Sequence, residues 1–155
     1  MDNKDRRIRK AREVLQSFFS VAKLANDFAR KNAEELGVTF QQLSVINTLK
    51  IYPGVTLKKL SEKLPMQLSL SSLSLIVEKL VVLKLVEREI SQQDRRAVKL
   101  RLTETGLNIA IESEEKAYSF NAMNSALERM DPKDVETLLK LHNELLLNLK
   151  EIKGV

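Results

Sequence analysis

Residues 91–106 read SQQDRRAVKLRLTETG. The stretch changes character twice. SQQDRR is polar and ends on Asp94-Arg95-Arg96. Then Val98, Leu100 and Leu102 alternate with Ala97, Lys99 and Arg101, the period of a half-buried strand. Thr103 follows as a helix cap. Val86 to Ile90, just upstream, reads as the partner strand. The spacing therefore predicts a hairpin of Val86–Ile90 and Ala97–Leu102 with the arginines at its tip, feeding directly into a helix.

Working outward, helices surround this hairpin. Ser69 caps one that runs to about Leu85. Before it, Thr56 caps the short helix TLKKLSEKL, which buries Leu57, Leu60 and Leu64, and Pro65 blocks its continuation. Thr39-Phe40-Gln41-Gln42 matches a capping box, opening a helix with Phe40, Leu43, Ile46 and Leu49 inside. Pro53-Gly54 makes the turn after it. Compact helices feeding a two-stranded hairpin form a winged helix-turn-helix, a reader helix with a β-ribbon beside it.

Long helices flank this unit. From about Asp5 to Leu36, residues Ile8, Ala11, Leu15, Phe18, Ala22, Ala25 and Ala29 step by three and four. Val14, Val21 and Phe28 add a second row, and Gly37 is the expected stop. After the hairpin, one helix is expected from Thr103 to about Met130. Asp131-Pro132-Lys133-Asp134 starts another, with Val135, Leu138, His142, Leu145, Leu149 and Ile152 on one seam. One small domain cannot use up these seams, so they are expected to dimerise. The expected class is mainly α with a small β-hairpin wing: a single domain over 1–155, its winged helix at 38–102 and dimerisation helices at 1–37 and 103–155.

Composition agrees with this and excludes other classes. The chain has 155 residues, 43% hydrophobic and 30% charged, with only four Gly and three Pro; few breakers favour long helices. With no Cys and one His, disulfides, thiolate metal sites and a zinc sensor are not expected, nor any cofactor. No apolar run approaches the roughly 20 residues of a bilayer span, so no membrane role is expected. The opening residues lack an apolar signal core, and a cytoplasmic setting is expected. There is no Gly-rich phosphate loop or clustered His/Asp/Ser set, so no catalytic residue is named and no enzyme is expected. The net charge of +5 favours a polyanionic partner. It is clustered: residues 1–12 carry six Lys/Arg against two Asp, and residues 84–101 carry six against three acids.

At this point the chain resembles the MarR family of regulators. The resemblance rests on Asp94 and Arg96, on Leu102-Thr103-Glu104-Thr105-Gly106 after the apolar alternation, and on Leu85-Val86-Glu87-Arg88 at the end of the reader helix. It covers nearly the whole chain. It implies a homodimer on double-stranded DNA, with each reader helix in a major groove and Arg96 in the adjacent minor groove, braced by Asp94. Many members release DNA when a small, often aromatic, effector binds. A narrow minor groove concentrates negative potential and attracts an arginine.

The candidate DNA contacts are accordingly Lys58, Ser69, Ser71, Ser72, Ser74, Leu75, Lys79, Arg88, Asp94, Arg95, Arg96 and Lys99. Lys59, Lys63 and Arg101 are further candidates for the phosphates. Phe18, Phe19, Phe40 and Tyr52 are the expected walls of an effector pocket between the first, second and fifth helices. His142, which changes charge near neutral pH, is either a sensor or a hydrogen-bonded interface residue.

The chain departs from the family pattern in three places. Opposite the inner face of the reader helix (Leu73, Ile76, Val77, Leu80), the stripe is Ser71, Leu75, Glu78 and Val82, with no positive charge. Lys84 stands where the family commonly has Gly, so a different helix end is expected. The joint Pro65 to Leu68 is longer than usual. The uncharged stripe keeps a rival open: a winged helix with weak or lost DNA reading that binds a protein through Leu75 and Val82.

Overall fold

The computed structural model describes residues 3–90 and 98–154. The order is α1 (Asn3–Glu35), α2 (Phe40–Ile51), α3 (Leu57–Lys63), α4 (Leu70–Val82), β1 (Val86–Ile90), β2 (Val98–Leu102), α5 (Glu104–Lys116), α6 (Tyr118–Leu127) and α7 (Pro132–Lys153). The mainly helical class with a β-hairpin is as expected. The chain divides into two compact units, Met1–Tyr118 and Ser119–Val155.

In the first unit, caps chosen by sequence set the helix starts. The Thr39 N–H donates to Gln42 Oε1 at 2.9 Å and the Gln42 N–H to Thr39 Oγ1 at 3.2 Å, a complete capping box. Thr56 and Ser69 cap α3 and α4 with the single bond of an ordinary cap, each accepting from the N–H three residues on. Leu43, Ile46 and Leu49 of α2, Leu60 of α3, and Leu73, Val77 and Leu80 of α4 are buried together with Val86 and Leu100 of the hairpin. Residues spaced by three and four on each helix thus meet in one core. The strands pair antiparallel, Val86 opposite Leu102 and Ile90 opposite Val98. Val55 extends the ribbon through a bridge to Leu100, with both backbone bonds at 2.9 Å. Gly54, at φ +74, makes the turn into it.

Two expectations about helix ends are corrected. α4 ends at Val82, not near Leu85, and Lys84 does adopt the left-handed conformation, at φ 57. The Lys84 N–H donates to Val81 O and the Leu85 N–H to Leu80 O, both at 2.9 Å. That is the paired closure usually built on glycine, with Leu80 and Leu85 both buried. The demand of the core for Leu85 outweighs the backbone preference of Lys84.

The single helix expected from Thr103 to about Met130 is broken. Ala117 lies at φ 37, ψ 44, its N–H bonded to Ser113 O, and a new helix starts at Tyr118. No Gly or Pro punctuates this point. Tertiary contacts fix it instead: the Tyr118 hydroxyl donates to Glu35 Oε2, and Lys31 lies 5.7 Å over the Tyr118 ring.

In the second unit, Asp131 caps α7 with Pro132 in its first turn, and Gly154 closes it at φ 73. Neither α6 nor α7 has a fully buried residue. α7 instead exposes Leu138, Leu139, Leu141, Leu146, Leu147, Leu149 and Ile152. α1 likewise exposes Ile8, Val14, Leu15, Phe19, Val21, Leu24 and Phe28, and is buried only near its end, at Asn32 and Ala33. Among the described residues no helix is long and apolar enough to cross a membrane.

Candidate nucleic-acid interface

α4 presents one face to the core and one to solvent. Leu73, Val77 and Leu80 lock one side of the helix into the core. At 100° per residue the opposite side carries Ser71, Leu75, Glu78 and Val82, and all four are exposed. Leu75 is 60% and Val82 76% exposed. Val81 packs against the core, whereas Leu70 is half exposed. Leu75, Glu78, Lys79, Val82 and Leu83 line a surface cleft of about 480 Å³, closed at one side by Gln42 of α2.

The amino end of α4 is a serine cluster. Ser69 Oγ accepts from the Ser72 N–H at 3.1 Å and lies 3.0 Å from Ser71 Oγ and 2.8 Å from Ser72 Oγ. The hydroxyl of Ser69 is thus occupied in capping, while Ser71 and Ser72 stand exposed beside it and Ser74 is half-buried. On the adjoining α3, Lys58, Lys59 and Lys63 are exposed. Lys63 also lies 5.0 Å over the ring of Tyr52.

The hairpin sorts its charges by face. Glu87, Glu89, Lys99 and Arg101 share one face, and Arg88 shares the other with Val86 and Leu100. Arg101 Nε donates to Glu89 Oε2 at 2.8 Å, and its guanidinium lies over Gly54, where an added Cβ would meet Nη2 at 3.1 Å. Arg101 is therefore a brace between wing and α2–α3 turn. The register pairs Glu89 with Lys99 and Glu87 with Arg101, a signal that sequence reasoning passed over. Asp94, Arg95 and Arg96 lie outside the described residues.

The expected pocket walls differ in exposure. Phe19 is exposed on α1 and lines a cleft of about 350 Å³ with Ala22, Lys23, Asn26, Asp27 and Arg30. Phe18 and Phe40 are half-buried, and Tyr52 packs under Lys63. Between α1, α2 and α5 lies a polar seam. Asn32 Nδ2 donates to Ser113 O at 3.1 Å and lies 3.3 Å from Ser113 Oγ, and Asn47 Nδ2 donates to the same Oγ at 3.2 Å. Asn32 Oδ1, Ser44 Oγ and Asn47 Oδ1 are buried there without a protein partner. At the end of α1, the Tyr118 hydroxyl and then Lys116 and Lys31 hold the Glu35 carboxyl below its ordinary value. The same hydrogen bond, with burial, raises the Tyr118 phenol. His142 is exposed on α7. Among the described residues no group of His, Cys, Asp or Glu could hold a metal ion.

The stretch from Leu36 through the first hairpin strand also matches a known family: residues 36–97 fit the model of the MarR family. That match spans less than half of the chain. The likeness extends beyond that region. The multiple antibiotic-resistance repressor MarR of Listeria monocytogenes is 26% identical, with a TM-score of 0.64, over 93% of this chain and 98% of that one. A MarR-like regulator from Bacillus cereus shares the fold at a TM-score of 0.74 and 20% identity, covering 92% and 96% of the two chains. A variant of MepR from S. aureus, solved bound to an oligodeoxyribonucleotide, matches at 0.57 and 19%, covering 88% and 97%. No curated protein matches in sequence. These likenesses are to transcription regulators, not to enzymes.

Proposed function

We propose that this chain is a homodimeric, sequence-specific DNA-binding transcriptional regulator acting in the cytoplasm, a repressor released by a small apolar or aromatic effector. The observation that carries the reading is the exposed outer face of α4, with Ser71, Ser72 and Leu75 standing clear of the core beside the lysines of α3. A MarR-family winged helix in this arrangement presents α4 to a major groove. Lys58, Lys59, Lys79, Arg88, Lys99 and the wing arginines Arg95 and Arg96 meet phosphates and the minor groove, with Asp94 bracing Arg96. The oligonucleotide complex of the MepR variant supports the same use of the fold. The apolar residues left exposed on α1 and α7 support a second copy of the chain as the other partner. Phe18, Phe19, Phe40 and Tyr52 remain the proposed effector contacts.

The test is selection from a pool of random duplexes at two salt concentrations, with sequencing of the bound fraction. A palindromic enriched site establishes a dimeric sequence reader. Because the central stripe has no cation, affinity rests on phosphates and the wing, and binding falls steeply with salt. Arg96→Ala weakens it and relaxes any preference for A·T-rich minor groove. Failure to retain any duplex at either salt refutes the proposal.

A further inference from the structure

The outer stripe of α4 lacks the side chains that usually read purines. Arg and Lys pair with guanine, and Asn and Gln with adenine. What it offers instead is two exposed apolar side chains, Leu75 and Val82, with the carboxylate of Glu78 between them. In a major groove those chemistries match pyrimidine edges. The C5-methyl of thymine accepts apolar contact, and the N4 amino group of cytosine donates to a carboxylate. Purines present acceptors at N7, which Glu78 would repel.

We propose that this helix reads pyrimidines: Leu75 and Val82 recognise thymine methyls, and Glu78 recognises a cytosine amino group. The inference rests on the DNA-binding reading above and deepens it. Nucleic acid is the occupant the charges favour. The stripe is apolar and acidic along its centre, yet exposed Lys79 borders it and Lys58, Lys59 and Lys63 stand on the adjoining α3. That is a cationic surround for phosphates and a neutral-to-acidic centre for base edges. Leu75, Leu83 and Val82 also wall the cleft beside Gln42, so a methyl entering there leaves water for an apolar surface.

The experiment uses the full chain and a duplex enriched from the random pool. Each thymine under the α4 footprint is replaced by deoxyuridine, which removes only the methyl. Binding is expected to weaken by about fourfold for each methyl that Leu75 or Val82 covers. Replacement costs nothing in a Leu75→Ala, Val82→Ala double variant, whose exposed positions leave the core intact. Glu78→Gln is expected to shift preference from cytosine toward adenine at one position of each half-site. If the enriched duplex binds equally well with deoxyuridine and the Glu78→Gln preference does not move, pyrimidine reading is overturned and DNA binding stands. If no duplex is enriched or retained, the DNA-binding reading falls and takes this inference with it; a protein partner then covers Leu75 and Val82.

Discussion

Gly106 runs directly beneath the carbonyl of Leu85: a Cβ built on it would lie 2.0 Å from that oxygen. The same carbonyl accepts from the Thr103 N–H at 3.1 Å. Thr103 Oγ1 donates to Lys84 O at 2.7 Å and accepts from the Gly106 N–H at 3.1 Å. Leu102-Thr103-Glu104-Thr105-Gly106 is therefore a clamp that fastens the start of α5 to the end of α4 and the root of the hairpin. It ties α4 and the hairpin to the start of α5.

Gly106→Ala should break this clamp. The obstruction is backbone, which cannot swing aside as a side chain does, so α5 or the backbone at Leu85 must move. Overpacking of this kind costs about 1–3 kcal/mol. Urea denaturation should show a loss in that range, with weaker duplex binding in the population that remains folded. An unchanged midpoint would mean that α5 shifts freely and that the clamp does not hold the wing.

Lys84→Gly should have the opposite sign. Lys84 sits at φ 57 with both closing backbone bonds made. A left-handed residue with a Cβ costs roughly 1 kcal/mol, which glycine avoids. Glycine loses part of that advantage through its greater freedom when unfolded. A net gain of about 0.5 kcal/mol in thermal or chemical denaturation is expected. A loss would show that the aliphatic stem of Lys84 contributes packing beyond its backbone strain.

These two residues mark how far the fold was legible. Caps, periodicity and the hairpin alternation carry local physics, so Thr39, Thr56, Ser69 and Asp131 announced their helices and the core faces followed. The break at Ala117 did not announce itself, because an alanine carries no turn signal and the contacts that fix it come from Glu35 and Lys31, far away in sequence. The candidate site was legible as a face rather than as a set of bonds. Helical geometry put Ser71, Leu75, Glu78 and Val82 together, but nothing local said that Arg101 pairs with Glu89 instead of facing outward alone. The seam of Asn32, Asn47 and Ser113 joins three helices, and each residue alone reads as an ordinary polar surface position.

The Glu35 carboxyl provides a pH prediction. Its folded-state pKa lies below its ordinary value of 4.5, chiefly through the Tyr118 hydroxyl. A carboxyl depressed on folding adds stability above its unfolded value, and that contribution is lost as pH falls through the folded one. Tyr118 has the reverse sign: its raised pKa adds stability that is complete below about 10.0 and is lost as pH rises through the higher folded value. Both groups are solvent-accessible, so the contributions are small. Tyr118→Phe should move the Glu35 titration upward in carboxyl-resolved NMR, with Lys116 and Lys31 leaving part of the depression in place. A midpoint that stays put would remove the hydroxyl as the cause.

Removal of α7 tests the proposed use of the long helices. α7 exposes Leu138, Leu139, Leu141, Leu146, Leu147, Leu149 and Ile152 on a helix of 22 residues. A soluble chain rarely leaves so continuous an apolar surface uncovered. The rows fall on more than one side of the helix, which suits burial against more than one neighbour. α1 offers a second uncovered set, including Leu15, Phe19, Val21 and Leu24. If the two sets meet their counterparts in a second copy, a chain ending after Met130 loses half of the interface. Analytical ultracentrifugation should then find a monomer, or aggregation through the bared α1 face, in place of the full-length dimer. The winged-helix core, with Ile46, Leu60, Leu73 and Leu80 all in the first unit, should retain its helical circular dichroism. Duplex affinity should drop by more than the twofold expected from losing one of two independent sites, because the tethered second site acts at a high effective concentration. A dimer that survives the truncation would place the interface on α1 alone and leave the leucines of α7 to some other partner.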